Sequence, residues 1–439
     1  MITTHKADMI CENLKRSDNG ELCFANVKLS TLAQKYGTPL YLYDEERIRH
    51  NCRTYLDAVK DGFGENARVM YASKAASFKR IYEIVKEEGL GIDVVSCGEI
   101  FTATKAGFPL SNAYFHSNNK TDFDIEYAMD HGVGYFVVDN AEELYAIERA
   151  ADERNIVQKI MLRITPGIDP HTYAAVATGK VDSKFGSAIE TGQAKAITSL
   201  AVRFPHIELC GFHCHVGSQI FDGDVYLSTS RVMLKFICDM EHELGFVTKE
   251  LDIGGGLGVR YIENHPTLDI KATIKMVADE MKKLACELGI SLPRISLEPG
   301  RSIVADAGLT LYTVGTVKRI PGYKSYISVD GGMTDNPRYA LYGSPYTILP
   351  VLEDISEREI CSIVGRCCES GDILQENVPM PNTVKRGDLI ACLTTGAYNY
   401  SMASNYNRIP RPPIVMLSKG ESYLAVKRET LEDIIRLDI

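Results

Sequence analysis

The stretch that decides the fold is Val69-Met70-Tyr71-Ala72-Ser73-Lys74-Ala75, followed by a helical pattern at Lys79–Glu88 and a second β-prone run at Gly91–Ser96. A short apolar run, a tight connection, an amphipathic helix and another apolar run make one βα unit. The rhythm continues outward. Further runs fall at Ala113–Ser117, Gly134–Asp139, Lys159–Thr165, Leu209–Val216, Leu251–Ile253 and Ile295–Glu298. Helical patterns lie between them, among them Thr121–His131, Ala141–Arg154, Gly186–Phe204, Val225–Leu244 and Ile270–Leu288. Eight such units in about 240 residues have the count and size of a (β/α)8 TIM-type barrel. A doubly wound open sheet fits less well, because eight units exceed its usual number.

After Leu309 the pattern changes to short alternating runs separated by Gly and Pro: Leu311–Lys318, Tyr326–Asp330, Glu359–Val364, Asp388–Leu393, Ile414–Leu417 and Glu421–Val426. These predict a C-terminal antiparallel β domain. The strand-like segment Leu22–Tyr43 is expected to join it. The expected division is therefore an N-terminal segment at 1–40, a barrel at 41–309 and a β domain at 310–439.

Bulk composition narrows the class of function. The 439 residues are 45% hydrophobic and 24% charged, as in a soluble globular protein. A net charge of -10 argues against a nucleic-acid partner, which needs a basic face. No apolar run reaches membrane-spanning length, and Met1-Ile2-Thr3-Thr4-His5-Lys6 leads into no signal-peptide core. The twelve cysteines show no CxxC pair or regular framework, so reduced thiols in the cytoplasm are expected.

Chemistry in such a barrel belongs at the C-terminal strand ends, and unusual residues gather there. Lys74 closes the first run among small residues, a setting that suits a Schiff-base lysine as well as a solvated rim charge. Gly254-Gly255-Gly256 follows the seventh run, and with Val216-Gly217-Ser218 and Gly300-Arg301 nearby it reads as a phosphate cradle. His213 and His215 share a strand face. They could ligate a metal with His116 and Asp93, be satisfied interior histidines, or stack on a planar cofactor. Glu298, ending the eighth run in apolar surroundings, needs a cationic partner. That partner would be Arg301 or the pyridinium nitrogen of pyridoxal phosphate. Amine, phosphate loop, stacking ring and carboxylate in one barrel mouth point to pyridoxal 5'-phosphate.

Together with YASKA (71–75), SKFG (183–186), HCHVGSQ (213–219), DIGGGLG (252–258) and EPGR (298–301), the segments DGGMTDNPR (330–338), CESGD (368–372) and GAYNYSMASNYN (396–407) resemble the fold-type III pyridoxal-phosphate decarboxylases. The resemblance runs from about Tyr41 to Ile414. It implies that Lys74 holds the cofactor, His215 stacks on its ring and Glu298 meets its pyridine nitrogen. Ser218, Gly255, Gly256, Pro299, Gly300, the Arg301 backbone and Tyr398 would line its phosphate. Cys368 would donate the proton in a homodimer whose sites are shared between subunits, and no metal is implied. Arg301, Arg338, Tyr342, Tyr398 and Glu369 would hold the far end of the substrate. Cations there suit a distal carboxylate and Glu369 a distal ammonium. Both groups together describe meso-2,6-diaminopimelate, whose decarboxylation yields L-lysine. An ornithine or arginine decarboxylase, a racemase on the same barrel and a non-catalytic relative are the rivals.

Overall fold

The computed structural model describes residues 10–169, 179 and 181–439. The opening Met1–Lys6 lies outside the described residues. The chain forms two compact units, one of residues 51–258 and 267–300, the other of residues 10–50, 259–266 and 301–439.

The first unit is a closed parallel barrel. Its strands are β1 (Arg68–Ala72), β2 (Gly91–Val94), β3 (Ala113–Phe115), β4 (Tyr135–Val138), β5 (Gln158–Thr165), β6 (Ile207–His213), β7 (Glu250–Asp252) and β8 (Arg294–Leu297). Each pairs in parallel with the next, and β8 returns to β1 with Leu297 beside Val69. Each expected run is a strand, displaced by a few residues at most, so Lys74, His215 and Glu298 stand just past strand ends.

Met70, Tyr114, Tyr135, Val137, Met161 and Cys210 form a buried cluster contributed by five of the strands. Beside it, Glu250 accepts from Ser296 Oγ at 2.6 Å and from Tyr114 and Arg294, so its charge is fully paired. Gly211 and Gly134 let neighbouring backbones approach closely. A Cβ would lie 1.8 Å from the Glu250 carbonyl oxygen at the first and 2.1 Å from that of Ser111 at the second.

One expected helix is shorter than its pattern. The segment predicted from Gly186 to Phe204 opens with a short strand, Ser187–Ala188, and turns helical only at Gln193–Ala201. Gly186 and Gly192 both have positive φ, which breaks a right-handed helix at each point. Two further helices, Glu45–Phe63 and Cys97–Lys105, complete the rhythm. The second is capped by Ser96, whose hydroxyl accepts from Glu99 N at 3.2 Å.

The second unit is built on a nine-stranded sheet. Gly308–Arg319 pairs antiparallel with Ser325–Val329, Leu389–Leu393 and Leu40–Asp44. The sheet is mixed rather than purely antiparallel. Ser325–Val329 runs parallel to Arg358–Val364, and Leu40–Asp44 runs parallel to Ile414–Ser418. The segment Leu22–Tyr43 is not one extended stretch. Leu22–Phe24 belongs to a separate three-stranded sheet, Leu29–Tyr36 is a helix, and only Leu40–Asp44 enters the large sheet. Leu14, Leu22, Phe24, Leu29 and Leu32 pack with Leu40, Leu42, Leu309, Leu311, Val415 and Leu417 in one buried cluster. That apolar face is why the amino-terminal segment folds onto this sheet.

Candidate active site

Lys74 is the middle residue of a one-turn helix, Ser73–Ala75, that follows β1. Its side chain is exposed while Ser73 and Ala75 are buried. Its charge is felt by Asp93, Glu99 and His215. The small residues around it serve close packing. A Cβ on Gly300 would lie 2.9 Å from Ala72 Cβ and 3.1 Å from Ala75 Cβ, and Ala72 N donates to the Pro299 carbonyl at 3.1 Å. The turns carrying Lys74 and Glu298 are therefore fitted to each other.

The glycine turn is pinned by its carbonyls. Gly254 O accepts from Glu298 N at 2.8 Å, Gly255 O from Tyr226 Oη at 3.1 Å and Gly256 O from Ile220 N at 2.9 Å. Gly254 and Gly256 have φ of 72° and 104°. A Cβ on Gly255 would meet the Glu298 carbonyl oxygen at 2.2 Å, and one on Gly256 would meet that of Gly217 at 2.1 Å. This brings the Gly217-Ser218 turn against the triplet. His215 Nδ1 accepts from Gly255 N at 3.4 Å. Burial, helped by Lys74 and Arg163, holds its ring well below the usual histidine range, so it is a neutral aromatic plate.

Glu298 is buried, and both its oxygens are engaged: Oε1 by His116 Nε2 at 2.6 Å and Oε2 by His213 Nε2 at 3.0 Å. Burial would raise its pKa, but the two imidazoles outweigh that and hold it well below the usual carboxylate range. Arg301 does not take this role; its Nη1 donates to Tyr261 Oη at 2.8 Å. The HxH pair thus divides its work, His213 on Glu298 and His215 on the glycine turn. Of the residues weighed as metal ligands, His116 and His213 come together with Glu298, all ligating atoms within 4.8 Å. Their separations are those of N–H donors on a carboxylate. Asp93 lies 4.0 Å from His116 Nε2.

Arg163, near the end of β5, escaped the sequence reading. It is largely buried, packs its guanidinium 4.2 Å from the Phe185 ring centre and faces Asp139, Glu298 and Asp93 electrostatically. The signal was a charged residue inside the apolar run Lys159–Thr165. Glu99 also went unmarked; burial pushes its carboxyl up to about 7 although Val95 N donates to it at 2.7 Å.

The sheet unit carries the second group. Tyr398 has a positive φ of 64°, and its ring centre lies 4.7 Å from the Arg301 guanidinium carbon and 5.3 Å from that of Arg338. Arg338 is buried, donates to Ser344 Oγ at 3.1 Å and lies 5.6 Å from the Tyr342 ring centre; its Nε is buried with no protein partner among the described residues. Cys368 and Glu369 are exposed. Cys368 N donates to Asn407 Oδ1 at 2.8 Å. Cys367 is half-buried, and burial with Asp372 pushes its thiol up to about 12.

The barrel donor set fits a pyridoxal phosphate. It offers an accessible amine, a turn with its carbonyls tied back and no room for a Cβ, a neutral ring and an ionised carboxylate at the strand ends. Comparison with known proteins agrees. A sequence model described as "Pyridoxal-dependent decarboxylase, pyridoxal binding domain" matches residues 45–305. The diaminopimelate decarboxylase of Bacillus subtilis (strain 168) is 43% identical, with 97% of each chain covered, and that of Staphylococcus aureus (strain COL) is 42% identical, covering 96% of this chain and 98% of the other. A crystal structure of diaminopimelate decarboxylase from M. jannaschii in co-complex with L-lysine superposes with a TM-score of 0.90 at 32% identity over 98% of both chains. The chain belongs to the pyridoxal-dependent decarboxylases.

Proposed function

We propose that this chain decarboxylates meso-2,6-diaminopimelate, with pyridoxal 5'-phosphate as cofactor, to give L-lysine and CO2. The observation that carries the reading is Glu298, a buried carboxylate kept ionised at a strand end of the same barrel that presents Lys74. The similarity to diaminopimelate decarboxylases over nearly the full chain supports the same substrate. When bound, pyridoxal phosphate supplies a conjugated, positively charged sink for the electron pair that departing CO2 leaves behind.

The chain's residues divide the remaining work. Lys74 would hold the cofactor through its amine, His215 would offer its neutral ring to the cofactor's ring, and Glu298 would keep a negative charge for the ring nitrogen. Ser218, Gly255, Gly256, Gly300, the Arg301 backbone and Tyr398 hold the phosphate, with Pro299 shaping the turn. Arg301 and Arg338, stiffened against Tyr398, meet the distal carboxylate, which can accept from the open Nε of Arg338. Tyr342 and Glu369 complete that end, Glu369 taking the distal ammonium. Cys368 delivers the proton that replaces the lost carboxylate, so carbon and charge balance.

Exposure of Cys368 and Glu369 on the single chain supports a homodimer in which each subunit completes the other's site. None of the twelve cysteines is in a disulfide, which supports a reducing, cytoplasmic setting. No helix among the described residues is long and apolar enough to cross a membrane.

The test is CO2 release from meso-diaminopimelate, L-ornithine and L-arginine under one set of conditions. Release from meso-diaminopimelate is expected to be faster by at least about a hundredfold, because buried cations reject a substrate lacking the distal carboxylate. Comparable turnover of ornithine would sink the substrate assignment.

A further inference from the structure

Glu298 hydrogen-bonds two imidazoles rather than a lysine or arginine. A buried carboxylate without a cation in contact ordinarily takes up a proton. Here both oxygens accept from a ring Nε2, and the two rings meet edge to face with centres 4.7 Å apart. His213 is suited to donate while neutral. Burial pushes its pKa down to about 4, and its Nδ1 is buried with no partner among the described residues. A lone pair is tolerated there, whereas the N–H of a protonated ring would be a buried donor left unmet. Glu298 therefore gains N–H donation from His213 without losing its own charge.

The surroundings sharpen this. Among the described residues, the other charged and titratable groups facing Glu298 include Asp93 on β2, Arg163 on β5, Cys214 and His215 after β6, and Asp252 on β7. Burial raises both Asp93 and Asp252, Asp252 far above the usual carboxylate range, while Glu298 alone is held below it. Environments that push neighbouring carboxyls apart assign them different protonation states. Burial thus favours the neutral form at Asp93 and Asp252, while the two imidazoles favour the charged form at Glu298.

We propose that His116 and His213 are positioning residues that hold Glu298 as a doubly donated carboxylate ready for the cofactor's ring nitrogen, so that the apoenzyme takes up pyridoxal phosphate equally well across neutral pH. This rests on the reading of Glu298 as the partner of that nitrogen. Without either donor, Glu298 is an ordinary buried carboxyl that protonates as pH falls and then offers the ring no charge.

The experiment measures pyridoxal phosphate affinity of the full-length apoenzyme by equilibrium dialysis at pH 6, 7 and 8. Asn at position 116 or 213 is too short to reach Glu298 and removes the donor; Gln places an N–H near the original Nε2. His116→Asn and His213→Asn are expected to bind more weakly than the parent by about tenfold at pH 6, with the gap closing by pH 8. His116→Gln and His213→Gln are expected to follow the parent. Proton equilibria of the free cofactor are common to every protein and cancel in the variant-to-parent ratio. A ratio independent of pH in the Asn variants, or equal losses in Asn and Gln variants, overturns the proposal in favour of simple packing. Should an Asn variant fail to fold by circular dichroism, the other Asn variant carries the test. Glu298→Gln separates the two readings. If it binds the cofactor like the parent, the ring-nitrogen reading fails; if it binds weakly while the Asn variants keep the parent's pH profile, only the clamp fails.

Discussion

A lysine at the end of a strand has two ordinary futures, and exposure alone does not choose between them. Lys74 is exposed, so removing its side chain opens no buried cavity. Lys74→Ala is therefore expected to retain the parent's circular dichroism and melting temperature while losing CO2 release altogether; residual turnover would deny it the proposed role. The adjacent thiols offer a sharper contrast. Cys368 faces outward, whereas Cys367 turns toward Asp372 and has its thiol proton held tightly. Cys368→Ala should lower turnover by about a hundredfold or more, and Cys367→Ala should leave it within about twofold. The opposite ranking reassigns the donor. Lys74, the glycine triplet and Glu298 were legible in the sequence because strand ends can be located from the βα rhythm. The bond from His116 to Glu298 was not, since it spans 182 positions and depends on how far the barrel mouth is across. Tyr261, which receives Arg301, escaped for a similar reason: nothing in its local pattern marks a partner 40 positions away.

At the scale of elements, the strands were easier to read than the turns that shape the site. A pattern of apolar residues does not reveal that Gly186 and Gly192 adopt positive φ, and so the helix after β5 was read too long. Parallel pairing in the sheet was equally hidden, because alternation fixes which face is buried but not which strand lies alongside. The loop at Asp330–Arg338 shows how a turn is held by carboxylates. Asp372 Oδ1 accepts from Met333 N at 2.6 Å and its Oδ2 from Cys367 N at 2.7 Å, while Asp335 Oδ1 accepts from Gly332 N at 2.8 Å. Burial pushes the Asp335 carboxyl up to about 7 against the donors it has. The native state thus keeps this proton to higher pH than the unfolded chain does. Its contribution is fully present below the unfolded carboxyl's pKa and is lost as pH rises through about 7. Asp335→Asn, which cannot ionise, should gain on the parent by about 2 kcal/mol between pH 5 and pH 8. Melting temperatures of the two proteins at both pH values test this; a constant difference rules it out. The glycine turn gives a second element-scale expectation. In Gly255→Ala the new methyl cannot coexist with the Glu298 carbonyl oxygen 2.2 Å away. Apoenzyme affinity for pyridoxal phosphate should drop by at least about tenfold, and unchanged affinity would remove the turn from the cradle.

For the whole molecule the question is whether one chain holds a complete site. The barrel unit carries Lys74, the glycine turn and Glu298, and the sheet unit carries the buried Arg301 and Arg338. The thiol and carboxylate of Cys368 and Glu369, however, face solvent on the isolated chain. A proton donor open to bulk water gives the reacting carbon no protection from adventitious protonation, so function requires that it be covered. A second copy related by a two-fold axis would bury both members of such a pair at once, since each subunit offers the same surface and receives it. Lys74 and Cys368 of one working site would then come from different chains. Lys74→Ala and Cys368→Ala proteins, each inactive alone, are expected to complement when co-expressed with different affinity tags. A dimer carrying both tags has one site with neither substitution and one with both, so a random mixture should recover about a quarter of parental activity, and purified mixed dimers about half. If isolated mixed dimers are as inactive as either variant, Lys74 and Cys368 act within a single chain and the shared site is wrong. If no dimer forms at working concentrations and the parent is still active, the exposed pair has no second subunit to serve.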